Sequence, residues 1–404
     1  MIYFKSTFVI LNFIFNFYEI KSYFLKENNY FDSDIKRIYK RDVDKNELKW
    51  DFPIKYWVDP NLGLNENLIE KALQRISNNT CITWEKKESQ ILNTSGLNVV
   101  NRGLCGSFVG RLSKNMPQEI TFSSSCFDSG RIEHEFSHAL GLVHENKIYG
   151  FEKYITINYT NLQEKAVKKF QISNTTEKKP ISKFYDYGSL LHHPSNMFSK
   201  NGLTTIITKD PNYQDTIGQD DKLKFSDIKN LNLLYCQDKC KKEKKKLKCK
   251  NGGYVDPKNC KKCRCPEHYS GTFCNFGKII DSKCKSVVVQ ATSSKKLLKI
   301  SGNLNCFYYI MSPLNTKIQL TIENSDLPNK KEGSPCIQGE SLEILYKKDP
   351  SVVGAMFCGK VKNVQMKSED NKVSIHYVGN STNNFVEISY KKVNKKINKT
   401  KKLL

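Results

Sequence analysis

The sequence predicts an α+β domain over residues 42–236, a small disulfide-rich module after it, and a β-sandwich over residues 284–392. Three observations carry that expectation. Residues 42–236 hold four cysteines in a long stretch where helical and strand patterns interleave. Residues 240–274 hold six cysteines in 35 residues, too little chain to bury a core without cross-links. Residues 284–392 hold four more cysteines and alternating, β-rich runs such as Lys317–Ile322 and Val373–Val378.

The chain of 404 residues is long enough for two or three domains, and an apolar fraction of 38% suits ordinary cores. Fourteen cysteines, an even number concentrated in the second half, read as a disulfide framework made in an oxidising compartment. The N-terminus agrees. Lys5 supplies a positive start, and Thr7–Tyr18 is an apolar run of signal-peptide length, so residues 1–22 read as a signal peptide. The run is shorter than the roughly 20 apolar residues of a membrane span, although an uncleaved anchor is the alternative. Residues 23–41 are polar and end in Lys40-Arg41, a processing site, and so read as a propeptide. Asn-x-Ser/Thr triplets at Asn78, Asn93, Asn158, Asn174, Asn380 and Asn398 are compatible with a secreted, extracellular glycoprotein.

The net charge of +24 comes mostly from lysine, concentrated in Lys239–Lys248 and in Lys391–Lys402 of the C-terminal stretch, residues 393–404 forming a basic tail. Such runs bind polyanions, or else form a solvated linker and tail. No nucleic-acid-binding motif accompanies them, so nucleic acid is not an expected partner.

The chemistry lies in Gly130–Glu145, GRIEHEFSHALGLVHE. Read as a helix over Ile132–Leu140, this segment stacks His134 and His138, four apart, on one face. Ile132, Phe136, Ala139 and Leu140 fall largely on the other, so one face can hold a metal while the other enters a core. Two neutral imidazoles suit Zn²⁺, and Glu135 can reach a water there without being a ligand. Gly141 can take the left-handed conformation that ends a helix and turns the chain, returning His144 as a third ligand. Three histidines, an open position and a neighbouring carboxylate are built for metal-assisted hydrolysis. The full HExxHxxGxxH pattern is expected by chance about 10⁻⁵ times in such a chain, so it outweighs any lone histidine.

This extended motif resembles the metzincin signature, and His144-Glu145 resembles its astacin branch. The resemblance covers essentially all of residues 42–236. Gly103–Arg111 is similar to the edge-strand segment before the zinc helix, Lys153–Asn158 to the strand after it, Tyr185–Ser189 to the approach to the Met-turn, and Asp227–Cys236 to the closing helix. It implies a two-lobed zinc protease domain with one zinc on His134, His138 and His144. It also implies Glu135 as general base, and a peptide laid along the Gly106–Gly110 segment. Glu145 would pair with the N-terminus created by cleavage after Arg41. Phe31–Ile35 resembles the inhibitory element of that family, with Asp34 as the aspartate that occupies the metal's open position in the precursor; Ser33 stands where glycine is usual. The implied pairings in this domain are Cys81 with Cys236 and Cys105 with Cys126.

Two residues depart from the family pattern. Ser189-Leu190-Leu191-His192-His193 has Leu191 in place of the methionine beneath the metal. His193 replaces a tyrosine that serves as a weak fifth ligand and stabilises the transition state. The first change conserves volume and apolarity. The second offers a similar hydrogen bond or an over-tight metal ligand, which leaves a weak or silent zinc-binding relative as the alternative to an active peptidase. Residues 237–276 resemble an EGF-like module, through Asn251-Gly252-Gly253 and Cys263-Arg264-Cys265-Pro266. The pairings implied there are Cys240–Cys260, Cys249–Cys263 and Cys265–Cys274. The four remaining cysteines resemble those of a CUB domain, which implies Cys284–Cys306 and Cys336–Cys358. The partners this organisation implies are protein or peptide substrates, extracellular matrix among them, with polyanions held by the lysine tail.

Overall fold

The computed structural model describes residues 48–170, 181–243, 247–284 and 287–395. The expected signal peptide, the propeptide with Asp34, the junction after Arg41, Asn174, Asn398 and all of the basic tail beyond Lys395 lie outside the described residues. Among those described, no helix is long and apolar enough to cross a membrane.

The chain divides into two compact units. The first holds the described residues 48–66, Trp84–Asp128 and His138–Gly141. It is built on β1 (Ile54–Val58), β2 (Trp84–Lys86), β3 (Leu97–Val100), β4 (Gly106–Ser107) and β5 (Gln118–Thr121), in the order β2-β1-β3-β5-β4. Strand β1 alternates, burying Ile54, Tyr56 and Val58, whereas all four residues of central β3 are buried. That is the pattern of a parallel strand covered on both faces. Asn98 within β3 survives burial because its side-chain amide exchanges hydrogen bonds with the Ile91 N–H (3.1 Å) and C=O (2.9 Å). Strand β4 pairs antiparallel with β5 on one side only and ends the sheet; the Cys105–Cys126 disulfide sits beside it.

The second unit holds the remaining residues. It carries α1 (Glu66–Asn79) but for its first residue, α2 (Ser129–Ala139) but for its last two, a single turn α3 (Val167–Phe170) and α4 (Phe225–Tyr235). Ile69, Ala72, Leu73 and Ile76 of α1 form the i, i+3, i+4, i+7 stripe of an amphipathic helix and are all buried. Helix α2 is anchored by Glu133, which takes an ion pair from Arg75 and the Leu223 N–H (2.7 Å). Close approach fixes its first turn, since any side chain at Gly130 would run into the Asp220–Asp221 backbone. Strands β6 (Ile155–Ile157) and β7 (Ile206–Thr208) form an antiparallel pair after α2. Cys81, just past α1, is bonded to Cys236, just past α4.

The six-cysteine module contributes two hairpins, β8 (Tyr254–Asp256) with β9 (Asn259–Arg264) and β10 (Tyr269–Ser270) with β11 (Phe276–Gly277). Its bonds are Cys240–Cys260, Cys249–Cys263 and Cys265–Cys274. The β-sandwich follows. One sheet contains β12 (Val288–Gln290), β14 (Asn305–Met311), β16 (Leu342–Leu345), β17 (Ala355–Phe357) and β19 (Lys372–Val378), in the order β12-β14-β19-β16-β17. The other contains β13 (Lys296–Ser301), β15 (Thr316–Asp326), β18 (Lys360–Lys367) and β20 (Phe385–Asn394), in the order β13-β20-β15-β18. The alternation legible over Lys317–Ile322 is the middle of β15, whose Ile318, Leu320 and Ile322 join Ile310, Ile344 and Ile375 of the facing sheet in one core. Cys284–Cys306 and Cys336–Cys358 complete the disulfides.

The Cys81–Cys236 bond closes a loop with a sequence separation of 155 residues, the longest of the seven. Replacing both cysteines with serine should lower the unfolding free energy by about 2–5 kcal/mol. Denaturant unfolding monitored by circular dichroism measures this, and a loss below about 1 kcal/mol would mean that the bond restrains little of the unfolded chain.

Candidate metal centre

Helix α2 carries His134 and His138 one turn apart, and Ile132, Phe136 and Ala139 are fully buried beneath them. The helix stops where the glycine stands. Gly141 has φ 102°, its N–H bonds the His138 carbonyl (2.8 Å), and the Leu142 N–H bonds the Ser137 carbonyl (3.0 Å). Those two bonds are the paired closure of a Schellman turn, which only a residue at ease with positive φ allows. The chain reverses and delivers His144 back toward the helix. One ring nitrogen from each of His134, His138 and His144 lies within 4.8 Å of the others, and the Nε2 atoms of His134 and His144 are 3.2 Å apart.

These donors fit zinc. Nitrogen ligands at 2.0–2.1 Å in a tetrahedral shell stand about 3.3 Å from one another, close to the spacing of that pair. The tautomer fits too: His134 Nδ1–H donates to the Leu190 carbonyl (3.0 Å), which leaves Nε2 with its lone pair toward the group. Glu135, next along the helix, is half-buried. His193 lies outside the group of three. Its ring centre is 4.1 Å from that of His144, and its Nδ1 accepts from the Asn146 amide (3.2 Å). Leu191 is buried, and its carbonyl accepts the Glu145 N–H (3.0 Å), joining the segment after His144 to the segment before His193.

Sequence reasoning missed what holds these segments. Residues 188–193 lie in neither helix nor strand, so their N–H groups need other acceptors. Two buried carboxylates supply acceptors for Gly188 and Leu190, while Ser189 and His192 bond backbone carbonyls, Leu191 bonds Ser189 Oγ and His193 bonds the Asn146 side chain. Asp227, in the first turn of α4, accepts from Ser189 Oγ (2.6 Å) and the N–H groups of Leu190 (3.0 Å) and Lys224 (2.9 Å). Asp186 accepts from the Gly188 N–H (2.8 Å) and Ser226 Oγ (2.5 Å), and its own N–H donates to Glu145 Oε1 (2.8 Å). Burial raises all three carboxyls: Asp186 to about 7, Asp227 above its ordinary value, and Glu145 well above, with Asp186 and Asp227 adding to the effect on Glu145. The only sequence signal for these roles is a pair of aspartates inside otherwise apolar stretches.

Burial also pushes His192 down to about 4 from 6.5. Neutral His192 accepts from the Tyr185 hydroxyl at Nε2 (2.7 Å) and donates from Nδ1 to the His193 carbonyl (2.8 Å). The unfolded chain binds that proton at the ordinary value, so unfolding between about pH 6.5 and pH 4 takes up a proton the fold refuses. This contribution to stability is intact above that window and shrinks as pH falls through it, by at most about 1.4 kcal/mol per pH unit. His192→Gln should make the slope of unfolding free energy against pH less positive across this window in the metal-free chain, whatever the raised buried carboxyls, which act in the opposite sense, contribute. An unchanged slope would show that another group takes up the proton.

Comparison with known proteins bears on the same residues. The profile of the astacin peptidase family matches residues 42–236, and that of the CUB domain matches residues 282–389. The chain is 32% identical to zinc metalloproteinase nas-34 of Caenorhabditis elegans over 82% of its own length and 54% of that protein. It is 31% identical to zinc metalloproteinase dpy-31 of Brugia malayi, over 79% of this chain and 54% of that one. It thus spans little more than half the length of these curated relatives. Among solved structures, high choriolytic enzyme 1, a hatching enzyme zinc-protease from Oryzias latipes (medaka fish), is 29% identical; the match covers 45% of this chain and 88% of that one, with a TM-score of 0.40. The stretch matched to astacin is the one that brings the three imidazoles together, so residues 42–236 are a domain of the astacin peptidase family, and a CUB domain follows in the same chain.

Proposed function

We propose that this chain is a secreted, zinc-dependent metalloendopeptidase, made as a zymogen, that hydrolyses peptide bonds in protein substrates. The observation that carries the reading is the convergence of His134, His138 and His144 within 4.8 Å of one another, with Glu135 beside the first. The three neutral imidazoles hold one zinc ion. When bound, zinc supplies a Lewis acid for the scissile carbonyl and makes water easier to deprotonate. Glu135 takes a proton from the attacking water and passes it to the leaving nitrogen, so one water is consumed and a carboxylic acid and an amine are released. The substrate backbone lies extended along β4, whose free side offers main-chain hydrogen bonds as an edge strand does. His193, packed on His144, donates to the transition state.

Activation follows from the same residues. Asp34 blocks the centre until the chain is cut after Arg41, and Glu145, a buried carboxylate, then receives the new N-terminal ammonium. The disulfides support an extracellular site of action, since they persist only in oxidising surroundings. The EGF-like and CUB modules and the lysine tail hold the enzyme near protein and polyanionic matrix. Heparin binding left unchanged by removal of the basic tail, residues 393–404, would sink the last point. A second reading, a zinc-binding relative with little turnover, draws on buried His193 in place of tyrosine.

Glu135→Ala in the activated chain should lower kcat on a mixed peptide library about 10²–10⁴-fold while zinc content stays stoichiometric. A zinc chelator should abolish cleavage and added zinc restore it. Cleavage that persists in the variant would remove Glu135 from the chemistry. If the native chain binds zinc yet cleaves nothing, His193→Tyr should restore turnover, and its failure to do so would clear His193 of blame.

A further inference from the structure

The loop between β16 and β17 of the sandwich reaches back onto the catalytic region at the segment that leads to His193. Its Val353 N–H is shared between the two carboxylate oxygens of Asp186 (3.1 and 3.2 Å). Two residues on, Gly188 packs against the same valine: a Cβ built on Gly188 would fall within 2.7 Å of three Val353 side-chain carbons. Gly188 is not among the left-handed glycines, so this close approach, and no backbone strain, is what demands glycine there. The contact is flanked by polar bonds that an incidental touch would not make. The Met356 N–H donates to Thr216 Oγ1 (2.9 Å), the Gln219 amide donates to the Cys336 carbonyl (2.7 Å), and the Tyr346 hydroxyl donates to Asp210 (2.8 Å). Asp186, Val353, Thr216 and Gln219 are all buried.

From Asp186 the path to the imidazoles is short. Its N–H fixes the carboxylate of Glu145, the residue after His144. Two residues beyond Gly188, the Leu190 carbonyl fixes His134. We propose that the CUB module is a positioning element of the metal centre, acting through Val353 on Asp186 and Gly188, so that the catalytic region depends on it for turnover even of peptides too short to touch it. This rests on the peptidase reading above and goes beyond a role for the module in capturing substrate, because capture would leave short peptides unaffected.

The test uses the full activated chain and the variants Gly188→Ala, Val353→Gly and the two combined. None of these residues is placed among the groups that bind metal or move protons. Four quantities are read: kcat and KM on a short internally quenched peptide, the rate at which a chelator strips zinc, and hydrogen exchange at residues 186–193 in the metal-free protein. Gly188→Ala drives a methyl group into Val353 and should lower kcat by about 10²-fold with KM changed less than about twofold. It should also speed zinc loss about tenfold and remove exchange protection at Leu190 and Leu191. Val353→Gly removes the three obstructing carbons, so the double variant should recover most of each loss. Val353→Ala, which removes two of the three, serves in its place if the glycine variant loosens the sandwich, and should recover part. Native behaviour of Gly188→Ala, or a defect that neither valine change relieves, would overturn the proposal. If the native chain cleaves no peptide, the peptidase reading fails separately, and zinc loss and exchange still decide whether the module positions the centre.

Discussion

Three imidazoles can meet at one point only if the helix bearing two of them ends at the right residue. His144 is six residues beyond His138, and a continuing helix would carry it about 9 Å along the axis and roughly 240° around. The Schellman turn at Gly141 cancels that displacement and leaves the Nε2 atoms of His134 and His144 3.2 Å apart. Everything else at the centre serves to keep α2 and the returning strand of chain where that turn puts them. Buried Glu133 holds the helix from its far side, with its desolvation offset by the Arg75 guanidinium and the Leu223 N–H.

The segment that approaches from the other direction has no regular structure to organise it. Its peptide groups are satisfied by local carbonyls, side chains and, at Gly188 and Leu190, by two carboxylates that are themselves buried, instead of by a ladder. Such an arrangement is costly to desolvate and leaves few alternatives, because any other course for the loop would strand N–H groups or negative charge away from water. It trades stability for a single geometry. The same logic runs outward, since Asp186 has acceptor capacity left for the Val353 N–H of the sandwich, and the specification of the loop extends into the next module.

Much of this is legible in the residues. Periodicity places the helix of His134 and His138, and the glycine at 141 announces the turn, because few other roles demand glycine three residues before a histidine in such a pattern. Alternation locates strands β15 and β19, although β15 runs on to Asp326, past the point where Asn324 and Ser325 blur the period. What cannot be read are relationships between distant segments: Asp227 beneath Leu190, Asp186 beside Glu145, Val353 over Gly188. A lone aspartate in an apolar stretch says that a partner exists but not where it is, and Gly188 is indistinguishable in sequence from a glycine that merely loosens a loop. The resemblance gives His193 the place of a transition-state donor or fifth ligand; in the folded chain its ring packs on His144 and one nitrogen is engaged by Asn146.

The bond between Cys81 and Cys236 gives the catalytic region the topology of a closed ring. In an open chain, one backbone cut inside a domain leaves two pieces with no covalent link. Here a single cut anywhere from residue 82 to residue 235 leaves both pieces covalently joined, with the three histidines still on the same molecule. Such nicked material keeps the mass of the intact chain apart from one added water, and its fragments separate only after reduction. A nick within this ring is therefore hidden until the Cys81–Cys236 bond is reduced.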